Sequence, residues 1–199
     1  IAETGWSKPQ NKDIDDFRRR VLPMLEILRD KGYSTFDLNN EYGERKVAQS
    51  RMEHMAVGKK VTYLKPIQEW YPAAGETTFT DGICGGWTYS DQRWQGFLSP
   101  IDVTIDLGSV QDVHYVGGTF MQLIGPGVFM PEKVDIYVSE DGKDFKHIAQ
   151  VWNDVSVKAS DLLFKSFDTI CNEKARYVRY HAFRSPMRGF IFLDEIVVN

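Results

Sequence analysis

KVDIYVSEDG, residues 133–142, sets Val134, Ile136 and Val138 at every second position and then breaks in an Asp-Gly pair. A period of two puts the three branched side chains on one face of an extended strand, and Asp141-Gly142 offers the positive φ that a tight turn requires. HIAQVW (147–152), next along the chain, reads as another strand, as do VTIDLG (103–108) and VHYVGGTFM (113–121) upstream. VTYLKP (61–66), LLFKSF (162–167), ARYVRYHAF (175–183) and FIFLDEIVV (190–198) complete the set, with turn signals such as Gly125-Pro126-Gly127 between them. About eight strands with no helix between them predict a mainly β fold, an antiparallel jelly-roll β-sandwich.

The N-terminal part has a different period. Ile14, Phe17, Val21, Leu25 and Leu28 recur at spacings of three and four, Asp13, Asp15 and Asp16 lie in the first turn, and Arg18, Arg19 and Arg20 take the opposite face. This predicts a helix over 11–31, capped by Asn11 or Asp13, closed by Gly32 and kinked at Pro23. A lone helix leaves such a stripe uncovered, and the chain opens at Ile1 inside structured-looking sequence, so a fragment of a larger protein is expected. Residues 40–60 are polar and rich in helix formers. The expected division is a helical remnant over 1–38, a linker over 39–60 and the sandwich over 61–199.

The bulk properties exclude several classes. The formal net charge is -4, pI about 5.6, with basic and acidic residues interspersed, which leaves no field for nucleic acid. No apolar run reaches the roughly 20 residues of a membrane-spanning helix. Cys84 and Cys171 allow one disulfide at most; spacing leaves pairing open, and free buried thiols are the commoner outcome. His54, His114, His147 and His181 are dispersed without zinc-ligand spacing. Asp15-Asp16, Glu140-Asp141 and Asp194-Glu195 are sequential neighbours on different faces, and no catalytic residue is predicted.

IDLGSVQDVHYVGGTFMQ (105–122), PEKVDIYVSEDGKDFKHIAQ (131–150), ARYVRYHAF and the closing DEIVVN (194–199) resemble, in this order, the discoidin or coagulation factor type C domains, which are close to family 32 carbohydrate-binding modules. The first residues resemble the end of a family 20 glycoside hydrolase, the β-N-acetylhexosaminidase or chitobiase class: Ala-Glu-x-x-Trp-Ser at 2–7, the Asp13–Phe17 spacing and the Arg-rich helix. That resemblance implies an upstream TIM-barrel catalytic domain as a partner in the same chain. It also implies a periplasmic, cell-surface or secreted setting.

The discoidin resemblance implies a structural Ca²⁺ held by Asp81 and Glu195, with Thr88 a further ligand and backbone carbonyls completing the shell. Ile83 departs from the polar residue expected there. The resemblance also places sugar recognition on loops at one end of the sandwich, here 87–97, 121–131, 152–158 and 182–190. Rings that stack on a sugar and side chains that hydrogen-bond its hydroxyls single out Trp87, Tyr89 and Phe129, with Arg93, Gln122, Asn153, Arg184 and Arg188. Trp94 and Trp152 stand in apolar contexts and are expected in the core, while Arg176 and Arg179 are expected in solvent or in salt bridges.

The reading is a non-catalytic module binding galactose- or N-acetylhexosamine-bearing glycans. Two alternatives remain: a protein- or membrane-adhesion module, with Phe129-Met130 as an apolar spike, and a brace for the catalytic domain that binds no sugar. The acidic balance opposes anionic lipid.

Overall fold

A computed structural model describes residues 13–31 and 52–199. The chain divides into two compact units, residues 1–48 and 49–199. In the first, α1 (Ile14–Asp30) is capped by Asp13, whose Oδ1 accepts the amides of Asp15 and Asp16, each at 3.0 Å. Asp16 takes hydrogen bonds from Arg19 and Arg20 one turn on, and this holds its carboxyl below the usual range. The helix runs on through Pro23, which costs one backbone bond but does not end it. Asn11 and Gly32, the other expected caps, lie outside the described residues, as does most of the linker.

The second unit contains β1 (Lys60–Tyr63), a 3-10 turn (Gly75–Thr80), β2 (Gln95–Phe97), β3 (Ile101–Gln122), β4 (Lys133–Ser139), β5 (Lys146–Trp152), β6 (Leu163–Ala182) and β7 (Ile191–Val198). The hydrogen-bonded order is β2-β7-β3-β6-β4-β5, with β1 also on β3, and all of these pairings are antiparallel. Expected strands at 103–108 and 113–121 are one long strand, as are those at 162–167 and 175–183. Register shifts between Asp106 and Gln111 and between Val113 and Tyr115 divide the β3–β6 ladder into two halves. In one half, residues 101–106 pair with β1 and with the end of β6, which carries β4 and then β5. In the other, residues 115–122 pair with the start of β6 and with β7, which carries β2. Two layers of a sandwich thus share the same two strands.

Between the layers, Ile101, Val103, Ile105, Val178 and Ile136 from the first half join one buried cluster with Val116, Phe120, Phe167, Leu193 and Ile196 from the second. Tyr180, fully buried, donates its hydroxyl to the Phe167 carbonyl at 2.8 Å and ties the halves of β6 together. Gly118 is required beside it: a Cβ there would lie 2.8 Å from Leu193 and 3.2 Å from the Tyr180 hydroxyl. The Asp-Gly turn forms as expected, with Gly142 at φ +75 and Asp141 Oδ1 accepting the amides of Lys143 and Asp144. Asp106 and Asp102 each take two bonds from Arg176 and Arg179 on the outer face of the first layer.

The sandwich starts earlier than the expected linker allowed. Met52 donates its amide to Gly82 O (2.9 Å), Met55 to Val198 O (2.8 Å) and Gly58 to Thr80 O (2.7 Å), and Ala56 is fully buried. Polar composition concealed this, because its order comes from distant backbone acceptors. Phe120→Ala is expected to cost about 3–5 kcal/mol in urea unfolding, whereas Ile170→Ser, at a site 86% exposed, should stay within about 0.5 kcal/mol.

Candidate functional site

Loops 64–74, 81–94, 123–132 and 183–190 connect the strands that meet at one end of the sandwich. The 123–128 turn closes on a Leu123–Val128 bridge, and Val128 bridges onward to Phe190. Phe129 donates its amide to Phe190 O and Phe190 to Gly127 O, both at 2.9 Å, so two of the loops are stitched together. The 64–74 loop is held by buried Gln95, which donates to Pro72 O (2.8 Å) and Gly75 O (2.9 Å) and accepts from the Tyr63 hydroxyl (2.9 Å). A side chain that satisfies two loop carbonyls from inside the core makes a loop rigid.

These loops surround an aromatic cluster. Tyr71 is its hub, with ring centroids 5.2 Å from Phe190, 5.0 Å from Phe192 and 5.7 Å from Tyr89. Trp94, Met121, Val128 and Phe192 form a buried layer beneath. Trp70 lies 6.3 Å from Phe190 with 75% of its surface in water. Among the described residues, three non-glycine residues have positive φ: Ala73 (48), Gln92 (64) and Arg188 (58). Each sits in a different one of these loops, at about 1–3 kcal/mol apiece. Arg184 donates from Nη2 to Arg188 O at 3.2 Å while its Nε is buried without a partner.

The structure redistributes the sequence-based candidates. Arg184 and Arg188 come together, and Tyr89 packs half-buried against Tyr71 and Phe192. Trp87 is half-exposed and meets Phe164 edge-on at 5.7 Å. Arg93 is half-buried beside Asp91, which accepts its amide. Phe129 is no platform and no spike: it is 9% exposed and packs against Gly189, where a Cβ would come within 2.4 Å of its ring. Gln122 is fully buried and serves the backbone, donating to Ser156 O at 2.8 Å. Asn153 spends its amide on Val155. Trp94 is in the core, but Trp152 is 57% exposed, because it ends β5 on the outer face. Sequence reasoning missed Trp70, Tyr71 and Phe190. The readable signal was EWYPAAG (69–75), two aromatics placed in a turn between strands, where no core face requires them.

The expected calcium ligands do not gather into a cage. Thr88 is exposed and its hydroxyl bonds to Ser90 at 2.9 Å. Glu195 Oε1 faces His54 Nε2 at 3.0 Å, with the two side chains 0% and 1% exposed. His54 Nδ1 accepts the Ala56 amide at 3.3 Å, so the proton sits on Nε2 and is donated to Glu195. Asp81 Oδ1 is taken by the Ile83 amide. Burial raises the Glu195 carboxyl, and burial pushes the Asp194 carboxyl up to about 7; Asp81 lies close enough to add repulsion at Glu195. Glu195 Oε2 is buried without a hydrogen-bond partner; with Thr88 turned to Ser90, Asp81 and Glu195 are left as the side-chain ligands of the expected Ca²⁺, and backbone carbonyls would have to supply most of the six to eight oxygens that ion takes. Cys84 and Cys171 are both free, and Cys84 is exposed rather than buried, in a loop opened by Gly85 and Gly86.

Neither a protein-family model nor a curated protein matches the sequence. Solved structures do. A chitosan-binding module from a chitosanase/glucanase of Paenibacillus sp. IK-5 superposes with TM-score 0.51 at 19% identity, over 74% of this chain and 98% of the module. CpGH89CBM32-4 from Clostridium perfringens, solved with GlcNAc-α-1,4-galactose, gives TM-score 0.50 at 13% identity, over 75% and 96%. The chain has the fold of these carbohydrate-binding modules.

Because the imidazole is the side-chain donor to a buried carboxylate, His54→Ala should cost about 3 kcal/mol and lower Tm by about 10 °C. Millimolar Ca²⁺ or EDTA should move the wild-type Tm by less than about 1 °C in the same scanning calorimetry; a Ca²⁺-dependent rise above about 3 °C would restore a cation to Glu195.

Proposed function

We propose that this chain is a non-catalytic carbohydrate-binding module whose loop end stacks a sugar ring on Trp70. The observation that carries the reading is an indole left in water above a packed aromatic cluster, on loops held in left-handed backbone at three non-glycine positions. Trp70 would cover the C–H face of a pyranose; Arg188, Arg184, Tyr89 and Trp87 line the loops from which polar and further aromatic contacts would come. The likeness of fold to a chitosan-binding module and to a module solved with GlcNAc-α-1,4-galactose supports galactose- or N-acetylhexosamine-bearing glycans as ligands.

The finer reading is that the module sits at the C-terminus of a β-N-acetylhexosaminidase-like glycoside hydrolase, in a periplasmic, cell-surface or secreted protein. It rests on the 2–7 stretch, the Asp13–Phe17 spacing and α1 as a helix with Arg18–Arg20 in its first turns. The module would hold the parent enzyme on its glycan and raise effective concentration there.

A glycan array probed with residues 1–199 tests the reading. A saccharide hit is expected, and Trp70→Ala should weaken it about thirtyfold, the equivalent of roughly 2 kcal/mol from covering an indole face, with Tm unchanged within about 2 °C. No hit among galactosides, N-acetylhexosaminides and mucin glycans would favour the bracing role.

A further inference from the structure

Trp152 stands out once the loop end is accounted for. It is a large apolar ring in water whose orientation is nonetheless specified. Its Nε1 donates to Gln150 Oε1 at 3.1 Å, and Gln150 Nε2 donates to Asp135 Oδ1 at 2.8 Å. Asp135 is 5% exposed, and its other oxygen accepts from Lys133 Nζ at 3.3 Å. The same ammonium lies 5.4 Å from the Trp152 ring centroid and 4.3 Å from that of Phe183, which stacks on His181 at 4.1 Å. A chain of hydrogen bonds therefore runs from a buried carboxylate out to an exposed indole.

The backbone around the ring is fixed as well. Asn153 donates its amide to Glu132 O at 3.0 Å, Lys165 Nζ donates to Trp152 O at 3.3 Å, and Asn153 closes its own turn through Val155. Scattered exposed apolar residues are ordinary; this one is held by a hydrogen bond at its ring nitrogen and by a fixed backbone. Fixing a ring matters to something that lies flat on it.

The patch also adjoins the loop end. Phe183, which completes the Lys133 cage, immediately precedes Arg184, and its amide and carbonyl pair with Lys133 O (2.9 Å) and Glu132 N (3.1 Å). The 183–190 loop thus starts at the Lys133–Trp152 cage and ends at Phe190, the neighbour of Trp70.

We propose that Trp152 is a second sugar-stacking platform, so that the module takes an oligosaccharide whose further rings reach Trp152 while one ring occupies Trp70. This rests on the glycan-binding reading. The ligand class is a glycan of several rings, each offering one C–H face; a monosaccharide would engage Trp70 alone.

The test follows the indole N–H signals of ¹⁵N-labelled residues 1–199, assigned with Trp70→Phe and Trp152→Phe, during titration. The probes are N-acetylglucosamine, N-acetylgalactosamine and galactose, then mucin-derived oligosaccharides of several rings. Oligosaccharides are expected to shift both indoles and monosaccharides only Trp70. In calorimetry, Trp152→Ala should weaken oligosaccharides about tenfold and monosaccharides less than about twofold. Shifts at Trp70 alone with every probe would overturn the second platform and leave the loop-end reading standing. No shift at either indole with any probe would overturn both.

Discussion

The antiparallel pairing of β3 with β6 is the constraint on which the second unit depends. These two strands run through both layers, and the register breaks near Asp106–Gln111 and Val113–Tyr115 separate the part of their ladder that belongs to one layer from the part that belongs to the other. Every other strand attaches to one of them or to a neighbour of one: β1 and β7 to β3, β4 to β6, then β2 to β7 and β5 to β4. A slip of one residue in this ladder would put Ile101, Val103 and Ile105 on the opposite face from their present partners Ala182, Tyr180 and Val178, so one set or the other would leave the core. The Tyr180 hydroxyl bond to Phe167 and the space kept open by Gly118 oppose such a slip, because neither survives a change of face.

From that frame follow two different ends. The segment from Met52 to Gly58 gives its amides to Gly82, Val198 and Thr80 and buries His54 against Glu195, joining the start of the sandwich to its last strand. An imidazole N–H directed at a buried carboxylate does there part of what a cation would do. The loop end is organised differently: Gln95 and the Phe190 amide pairs hold backbone, while the rings stay half open to water.

What was legible in the sequence follows from how local each signal is. Alternation in 133–139 and the Asp141-Gly142 turn depend on neighbours within the hairpin, and both were readable. The length of β3 was not, since polar Ser109, Gln111 and Asp112 interrupt the pattern where the strand bends between layers. Residues 52–59 looked like a linker because their partners lie more than twenty residues away. At the site, residue type suggested Phe129, Gln122 and Asn153, but the Phe129 ring is packed against Gly189, and the side-chain amides of Gln122 and Asn153 satisfy backbone carbonyls. Trp152 misled in the opposite direction: apolar neighbours in sequence do not say which face of a terminal strand residue meets water.

The proposed hold on a sugar would draw on how strain and exposure are distributed over the molecule. Left-handed φ at Ala73, Gln92 and Arg188 and a buried Arg184 Nε without a partner all cost stability, and they concentrate in the loops rather than along the strands. A sandwich held by a continuous buried cluster can tolerate that cost, whereas a flexible loop bearing the same side chains would relax and lose their arrangement. Rings fixed in advance lose little conformational freedom when a sugar covers them, so a small contact area can suffice for a weak, reversible hold. In the proposed tethering role, two modest contacts on one glycan would multiply through effective concentration while each remained quick to release.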